Sequence, residues 1–236
     1  MALYFDLKQS LKTVPYIERM YRPLLSVDTM ICDLFGSAPE FVIAGTGRSG
    51  TVYISWLLDA LGIPTRHEYF YGAEGYHKRI GIKGEVSWLA APFLGEFKGK
   101  ILHQTRHPIK TINSFVSVLA VDKSRMHNKY IRFIDQHFDM GDDLLDNAMR
   151  FYIEWNAQIA KHAGYHFQIE KMEQALPEIF AYLGYECPPN YKDVIVGGKK
   201  LNSKSSPQVT YADLPKGKLL DELAAAAEVY GYALDE

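Results

Sequence analysis

The sequence predicts an α/β fold, a mostly parallel central sheet flanked by helices. Three observations point there. The runs at 41–44 and 100–105 are apolar without polar alternation, as strands buried on both faces are. Each run empties into turn residues and then at once into a helical pattern, over 50–61 and over 108 to about 119. Strands and helices then largely alternate along the chain, and a parallel sheet covered on both faces is the packing that satisfies such an order.

The elements follow in chain order. Met20, Leu24, Val27, Ile31 and Leu34 recur at helical spacing within 17–35, with Pro23 interrupting and Gly36 stopping the pattern. Residues 41–44 form the first strand. The helix over 50–61 has Leu57, Leu58 and Leu61 on one face and ends at Gly62 and Pro64. A short strand is expected at about 65–70. A glycine-rich stretch, YGAEGYHKRIGIKG, separates it from Glu85–Leu94. The strand 100–105 leads to a helix opened by Pro108, placed where a missing N–H costs nothing. Residues 121–141 are charged and aromatic, a variable helical segment at the rim. A long amphipathic helix spans 143–163, a strand 167–169, a helix 172–183 and a last helix 217–229, after a Gly-, Lys- and Ser-rich stretch.

Length and composition set bounds. The chain has 236 residues, enough for one substantial core, and residues 1–236 read as a single α/β domain with a C-terminal loop and helix region at 188–236. Apolar residues make up 47% and charged ones 23%, ordinary for a globular protein, and the net charge of -2 offers no basic field to gather nucleic acid. Cys32 and Cys187 stand far apart without ligand spacing, so neither a metal nor a disulfide framework is expected. No apolar run reaches membrane-spanning length, and MALYFDLKQSLKTV lacks the basic start of a signal peptide, so the expected location is cytoplasmic.

The chemistry concentrates at 41–51, FVIAGTGRSGT. Gly45, Gly47 and Gly50 let the backbone turn tightly, so that successive N–H groups face one concavity. Arg48 adds a permanent positive fork, Ser49 and Thr51 add hydroxyls, and the helix beginning near Gly50 and Val52 adds its positive end. A phosphate or sulfate is the matching partner, which makes this a P-loop-like nucleotide-binding core. Thr51 stands where a triphosphatase loop wants lysine, and Arg106 follows the second strand where magnesium chemistry wants an aspartate, so a P-loop phosphotransferase or kinase ranks second. A GxGxxG dinucleotide reading rests on Glu68 alone and ranks lower. A second anion site is expected in TRHPIKTINSF. There Arg106 ends the strand and Ser114 lies eight residues on, about two turns into the helix.

Taken together, GTGRSGTVYISWLLDALG resembles the 5′-phosphosulfate loop of sulfotransferases that use 3′-phosphoadenosine 5′-phosphosulfate (PAPS), and RHPIKTINS resembles that family's 3′-phosphate motif. The resemblance covers about 40–120 well. It continues weakly through Tyr152, Trp155 and Asn156 and through FQIEKME, where Lys171, Met172 and Glu173 replace the usual arginine–tyrosine–glutamate. The KGxxGxW signature of cytosolic members is absent, so the likeness is to the bacterial or carbohydrate branches. It implies that Gly47, Arg48, Ser49, Gly50, Thr51 and Val52 cradle the 5′ end of PAPS and that Arg106 and Ser114 hold its 3′-phosphate. Lys199 and Lys200, in a late loop at 197–205, would close over the nucleotide. PAP would be the product and a hydroxyl of a small molecule, lipid or carbohydrate the acceptor.

The base is expected just after the first helix, in GIPTRHEYF. Imidazole near its free pKa suits His67, while a carboxylate needs burial to match it. The resemblance favours Glu68, with His67 second; Glu85 is a third candidate. The bland alternatives are a rim histidine for His67 and an ion pair to Arg66 or Arg79 for Glu68. Glu85, Ser87 and Lys83 are expected near substrate, Trp88 and Phe93 along the acceptor site or in the core, and His103 in the core. His107 should meet adenine or cap its helix. A non-catalytic nucleotide-binding module is the third reading. Residues 121–141 or the final helix could supply a homo-oligomer interface.

Overall fold

Strand β1, Phe41–Gly45, is buried at every position and sits in the middle of the sheet. A computed structural model describes residues 36–73, 75–120, 129–197 and 209–234. The predicted helix at 17–35, Cys32, and the loop lysines Lys199 and Lys200 lie outside the described residues. After β1 come helix α1 (Thr51–Ala60), β2 (Thr65–His67), the hairpin strands β3 (Tyr71–Gly72) and β4 (Gly75–Tyr76), and β5 (Gly84–Val86). A run of tight 3-10 turns over Trp88–Glu96 then leads to β6 (Lys100–Thr105), α2 (Pro108–Ala120), α3 (Lys129–His137) and α4 (Leu144–Ala160). Strand β7 (Tyr165–Gln168), α5 (Met172–Leu183), α6 (Tyr191–Gly197) and α7 (Lys218–Val229) complete the described chain.

The main sheet has five strands in the order β2–β5–β1–β6–β7, and every neighbouring pair is parallel. Because side chains alternate across a strand, β1 feeds two cores. Phe41 and Ile43 pack with Ile54, Leu57 and Leu58 of α1 and with Leu176, Ile179 and Phe180 of α5. Val42 and Ala44 pack on the other face with Ile112 of α2, with Phe151, Tyr152 and Trp155 of α4, and with Leu223 of α7. This double burial is why the strand reads as a continuous apolar run. Asp143 starts α4 by accepting from the amides of Leu145 and Asp146, both at 2.8 Å.

The direction in which the connections progress across the sheet reverses at β1. The connection after β1 runs to the β2 edge, while the connection after β6 runs outward to β7. The crevice between the C-terminal ends of β1 and β6 is therefore the switch point where open parallel sheets hold ligands. The expected anion loop leaves β1 there, and Arg106 leaves β6 beside it.

Two expectations need correction. The glycine-rich stretch 71–84, expected only as a separator, holds the β3–β4 hairpin and leads into β5, which inserts between β2 and β1. Helix α6 was also not anticipated. The inserted strand runs close to its neighbour. A Cβ on Gly84 would lie 2.0 Å from the Phe41 ring, so only glycine lets β5 pass. Gly84→Ala should therefore cost about 1–3 kcal/mol of stability through forced displacement of Phe41. Denaturant unfolding measures this, and an unchanged midpoint would contradict the close approach.

Candidate functional site

The loop from Gly45 to Thr51 is held in shape from beneath. Gln104, buried at the end of β6, donates from Nε2 to the carbonyl of Ser49 at 2.7 Å, and the amide of Ser49 donates to the carbonyl of Thr46 at 3.1 Å. Ser49 is buried, so its side chain is a structural part of the turn. Gly50 has φ of 95°, a left-handed conformation that glycine adopts without penalty, and no side chain caps the start of α1. The first N–H groups of α1 thus keep the unsatisfied donors and partial positive charge that suit an anion. Thr46 Oγ1 is a further buried hydroxyl in this turn without a hydrogen-bond partner among the described residues. Val52 is half-buried on the first turn of the helix.

Arg48, Arg106 and Ser114 come together across the crevice. Arg48 Nε donates to Ser114 Oγ at 2.9 Å, and Arg106 Nη1 donates to the carbonyl of Arg48, also at 2.9 Å. Burial, and then the neighbouring charge of Arg106, disfavour the Arg48 cation and lower its pKa. Among the described residues no carboxylate forms an ion pair with either guanidinium. Two like charges gathered without a counter-charge make a site that an anion would stabilise. Arg106 is braced in turn by Tyr152, whose hydroxyl donates to its carbonyl at 3.2 Å.

The candidate bases stand beside the same helix start. Thr51 Oγ1 and His67 Nε2 are hydrogen-bonded at 2.9 Å, and His67 Nε2 lies 3.5 Å from Glu68 Oε1. Burial lowers the His67 pKa against the opposing pull of Glu68, which favours a neutral imidazole. Glu68 Oε1 accepts from Trp88 Nε1 at 2.9 Å, and its Oε2 accepts from the hydroxyl of Tyr130 at 2.8 Å. The ion pairs that could have explained Glu68 as surface chemistry do not form. Arg66 pairs with Asp59 at 2.6 Å, and Arg79 donates to the carbonyl of Tyr69 at 2.7 Å. Among the described residues the non-glycine positions with positive φ are Arg48, at 75°, and Glu68, at 49°. Such conformations persist where surrounding contacts over-determine them, and they cluster at functional sites.

Other expectations sort by burial. Glu85 is fully buried, so it cannot meet an acceptor as a base; its Oε1 accepts from the amides of Tyr69 at 2.8 Å and Tyr71 at 3.2 Å. Ser87 caps the 3-10 run by accepting from the amide of Leu89 at 3.1 Å. Lys83 does not reach the site: it pairs with Glu40 at the N-terminal end of the strands, opposite the crevice. His103 is a core histidine whose Nε2 donates to Asn156 Oδ1 at 3.0 Å, and burial lowers its pKa to about 4. His107 Nε2 donates to the carbonyl of Ala233 at 2.9 Å. Phe93 stacks on Tyr71 with ring centroids 5.9 Å apart.

Three contributors were missed. Gln104 as the brace of the loop had one available signal, a polar residue at the end of an otherwise apolar strand. Tyr130 had none, since its contact with Glu68 spans 62 residues. Trp88 was expected as acceptor-site lining or core packing, not as a partner of Glu68. Its ring lies 3.6 Å from where a Cβ on Gly47 would stand, so one indole touches the anion loop and also donates to Glu68.

No family model and no curated protein matches this chain. Among solved structures it is similar to mouse sulfotransferase SULT7A1 complexed with PAP, at 12% identity and a TM-score of 0.41, over 72% of this chain and 67% of that one. At that distance the likeness adds nothing to the fold read from the strand order.

Burial pushes the Glu85 carboxyl up to about 8, from an ordinary 4.5, against the lowering effect of the backbone amides that it accepts. Over that interval the folded chain holds a proton that the unfolded chain releases. Stability from the neutral carboxyl is therefore full below the unfolded pKa and is lost as pH rises through the folded one. Glu85→Gln has no such proton. Thermal unfolding at about pH 6 and pH 8 should show the native chain losing more stability than the variant, by up to about 1.4 kcal/mol per pH unit. Parallel pH profiles would contradict the buried neutral carboxyl.

Proposed function

We propose that this protein, acting as a single α/β domain, is a sulfotransferase that moves a sulfuryl group from PAPS to a hydroxyl of a small-molecule, lipid or carbohydrate acceptor. The observation that carries this reading is the pair of bonds joining Arg48 to Ser114 and Arg106 to the Arg48 carbonyl, because they unite the two expected anion sites in one crevice. The chain's donors fit a nucleotide with acidic groups at two ends. The uncapped start of α1, the loop amides and Arg48 would hold the 5′-phosphosulfate, and Arg106 with Ser114 the 3′-phosphate. Strand β6 ends on Gln104 and Thr105 and is followed by Arg106, so no carboxylate stands where a magnesium-dependent phosphotransferase would place one.

When bound, PAPS supplies the sulfuryl group: the acceptor oxygen bonds to sulfur, and the bond to the 5′-phosphate oxygen breaks with its electron pair left on PAP. Glu68 takes the proton of the acceptor hydroxyl, held in place by Trp88 and Tyr130. His67, beside Thr51, is the alternative base at the same mouth. Arg48 and the helix start meet the charge that grows on the leaving oxygen, where pre-aimed donors act most strongly.

Calorimetric titration should find PAP bound at least about tenfold more tightly than AMP, with the preference lost in Arg106→Ala, as expected for one charge-assisted contact worth about 1.5–3 kcal/mol. Equal affinity for AMP and PAP would reject the role of Arg106. In a transfer assay Glu68→Gln should lose about 10²–10⁴ in turnover while keeping PAP affinity. Loss confined to His67→Ala would move the base to the imidazole.

A further inference from the structure

Glu85 is the one candidate whose position denies it the role first considered while giving it another. It lies on β5, opposite Arg66 of β2 in the register, and is fully buried. A buried carboxyl in the middle of a sheet is costly and persists only where it satisfies something. What it satisfies is backbone: one oxygen, Oε1, accepts from the amides of both Tyr69 and Tyr71. Those amides belong to the chain that leaves β2 immediately after Glu68. Glu68 itself sits in a left-handed conformation at φ of 49°, with its own amide donating to the carbonyl of Val86 at 3.2 Å. A non-glycine residue in that region needs bonds on both sides of the turn to hold it. The Val86 carbonyl supplies the bond at Glu68, and Glu85 supplies those at Tyr69 and Tyr71.

We propose that Glu85 is a positioning residue for Glu68, with Oε1 pinning the amides of Tyr69 and Tyr71 so that the left-handed turn delivers the Glu68 carboxylate to Trp88 and Tyr130. The role of Glu68 as base rests on the sulfotransferase reading, but the positioning itself does not depend on that reading. The second oxygen, Oε2, is buried and has no hydrogen-bond partner among the described residues. The Phe70 amide adds an electrostatic pull on the carboxyl, but the well-formed bonds all fall on Oε1, an acceptor that an amide carbonyl can replace. Glutamine keeps that acceptor in the same place. Methionine fills the same volume without one. Aspartate keeps the carboxyl but falls one methylene short of the two amides.

The test compares Glu85→Gln, Glu85→Met and Glu85→Asp in the full chain by hydrogen exchange at three N–H groups: the amides of Tyr69 and Tyr71, and the Trp88 indole that reports on Glu68. Glu85→Met should lose at least about tenfold in protection at all three, and Glu85→Gln should restore it. If Glu85→Met does not fold, Glu85→Asp should show the same loss. With an acceptor in hand, the Met or Asp variant should lower kcat about tenfold or more at unchanged PAP affinity. Unchanged exchange at Tyr69 and Tyr71 would overturn the proposal, and so would loss there with an undisturbed Trp88 indole. Absence of any transfer by the native chain, with the exchange pattern as expected, would count against the sulfotransferase reading and leave the positioning role standing.

Discussion

Everything at the candidate site depends on two arginines being held close together with no carboxylate among the described residues paired to either. Arg48 leans on a serine hydroxyl and Arg106 on a backbone carbonyl. Neither contact neutralises charge. Like charges repel, and partial burial strengthens the repulsion by removing water. The fold opposes it with geometry: parallel strands at the centre of a sheet, covered on both faces, fix where each chain emerges. The result is a pre-arranged positive crevice whose repulsion a bound anion would relieve, which is what electrostatic preorganisation means in physical terms.

The second constraint is backbone strain. Arg48 and Glu68 both occupy left-handed conformations, and each is held by contacts from elements distant in sequence. The 3-10 run links them through Trp88, whose ring packs beside Gly47 while its N–H reaches Glu68. The candidate anion loop and the candidate base thus share the Trp88 side chain, so a change in either should be felt by the other. Buried Glu85 and Gln104 perform parallel tasks below the surface, each bonding backbone next to a candidate site residue, Glu68 in one case and Arg48 in the other.

Much of this was legible in the chain. Strands β1 and β6 were apolar runs because both sheet faces are buried, and α1, α2, α4, α5 and α7 showed helical spacing, starts and stops. Gly47, Arg48, Ser49, Gly50 and Thr51 stood out as candidates because their local chemistry resembles an anion turn, and Arg106 and Ser114 because they follow a buried strand; the structure brings Arg48, Arg106 and Ser114 together. The rest was hidden for physical reasons. Strand β5 is only three residues long and contains a glycine and a glutamate, both of which argue against a central strand. Its glycine is there to pass Phe41, and its glutamate to bond the neighbouring chain. Neither purpose has a local signature. The bonds of Glu68 to Trp88 and Tyr130 join residues 20 and 62 apart, and no periodicity encodes such pairs.

The most direct measurement is a crystal structure of the chain with PAP bound. The account predicts the 5′-phosphate within hydrogen-bonding distance of the Arg48 guanidinium and the first amides of α1, and the 3′-phosphate against Arg106 and Ser114, with the Glu68 carboxylate facing the space beyond the 5′ end. A nucleotide seated elsewhere on the sheet, or one whose phosphates touch neither arginine, would contradict it.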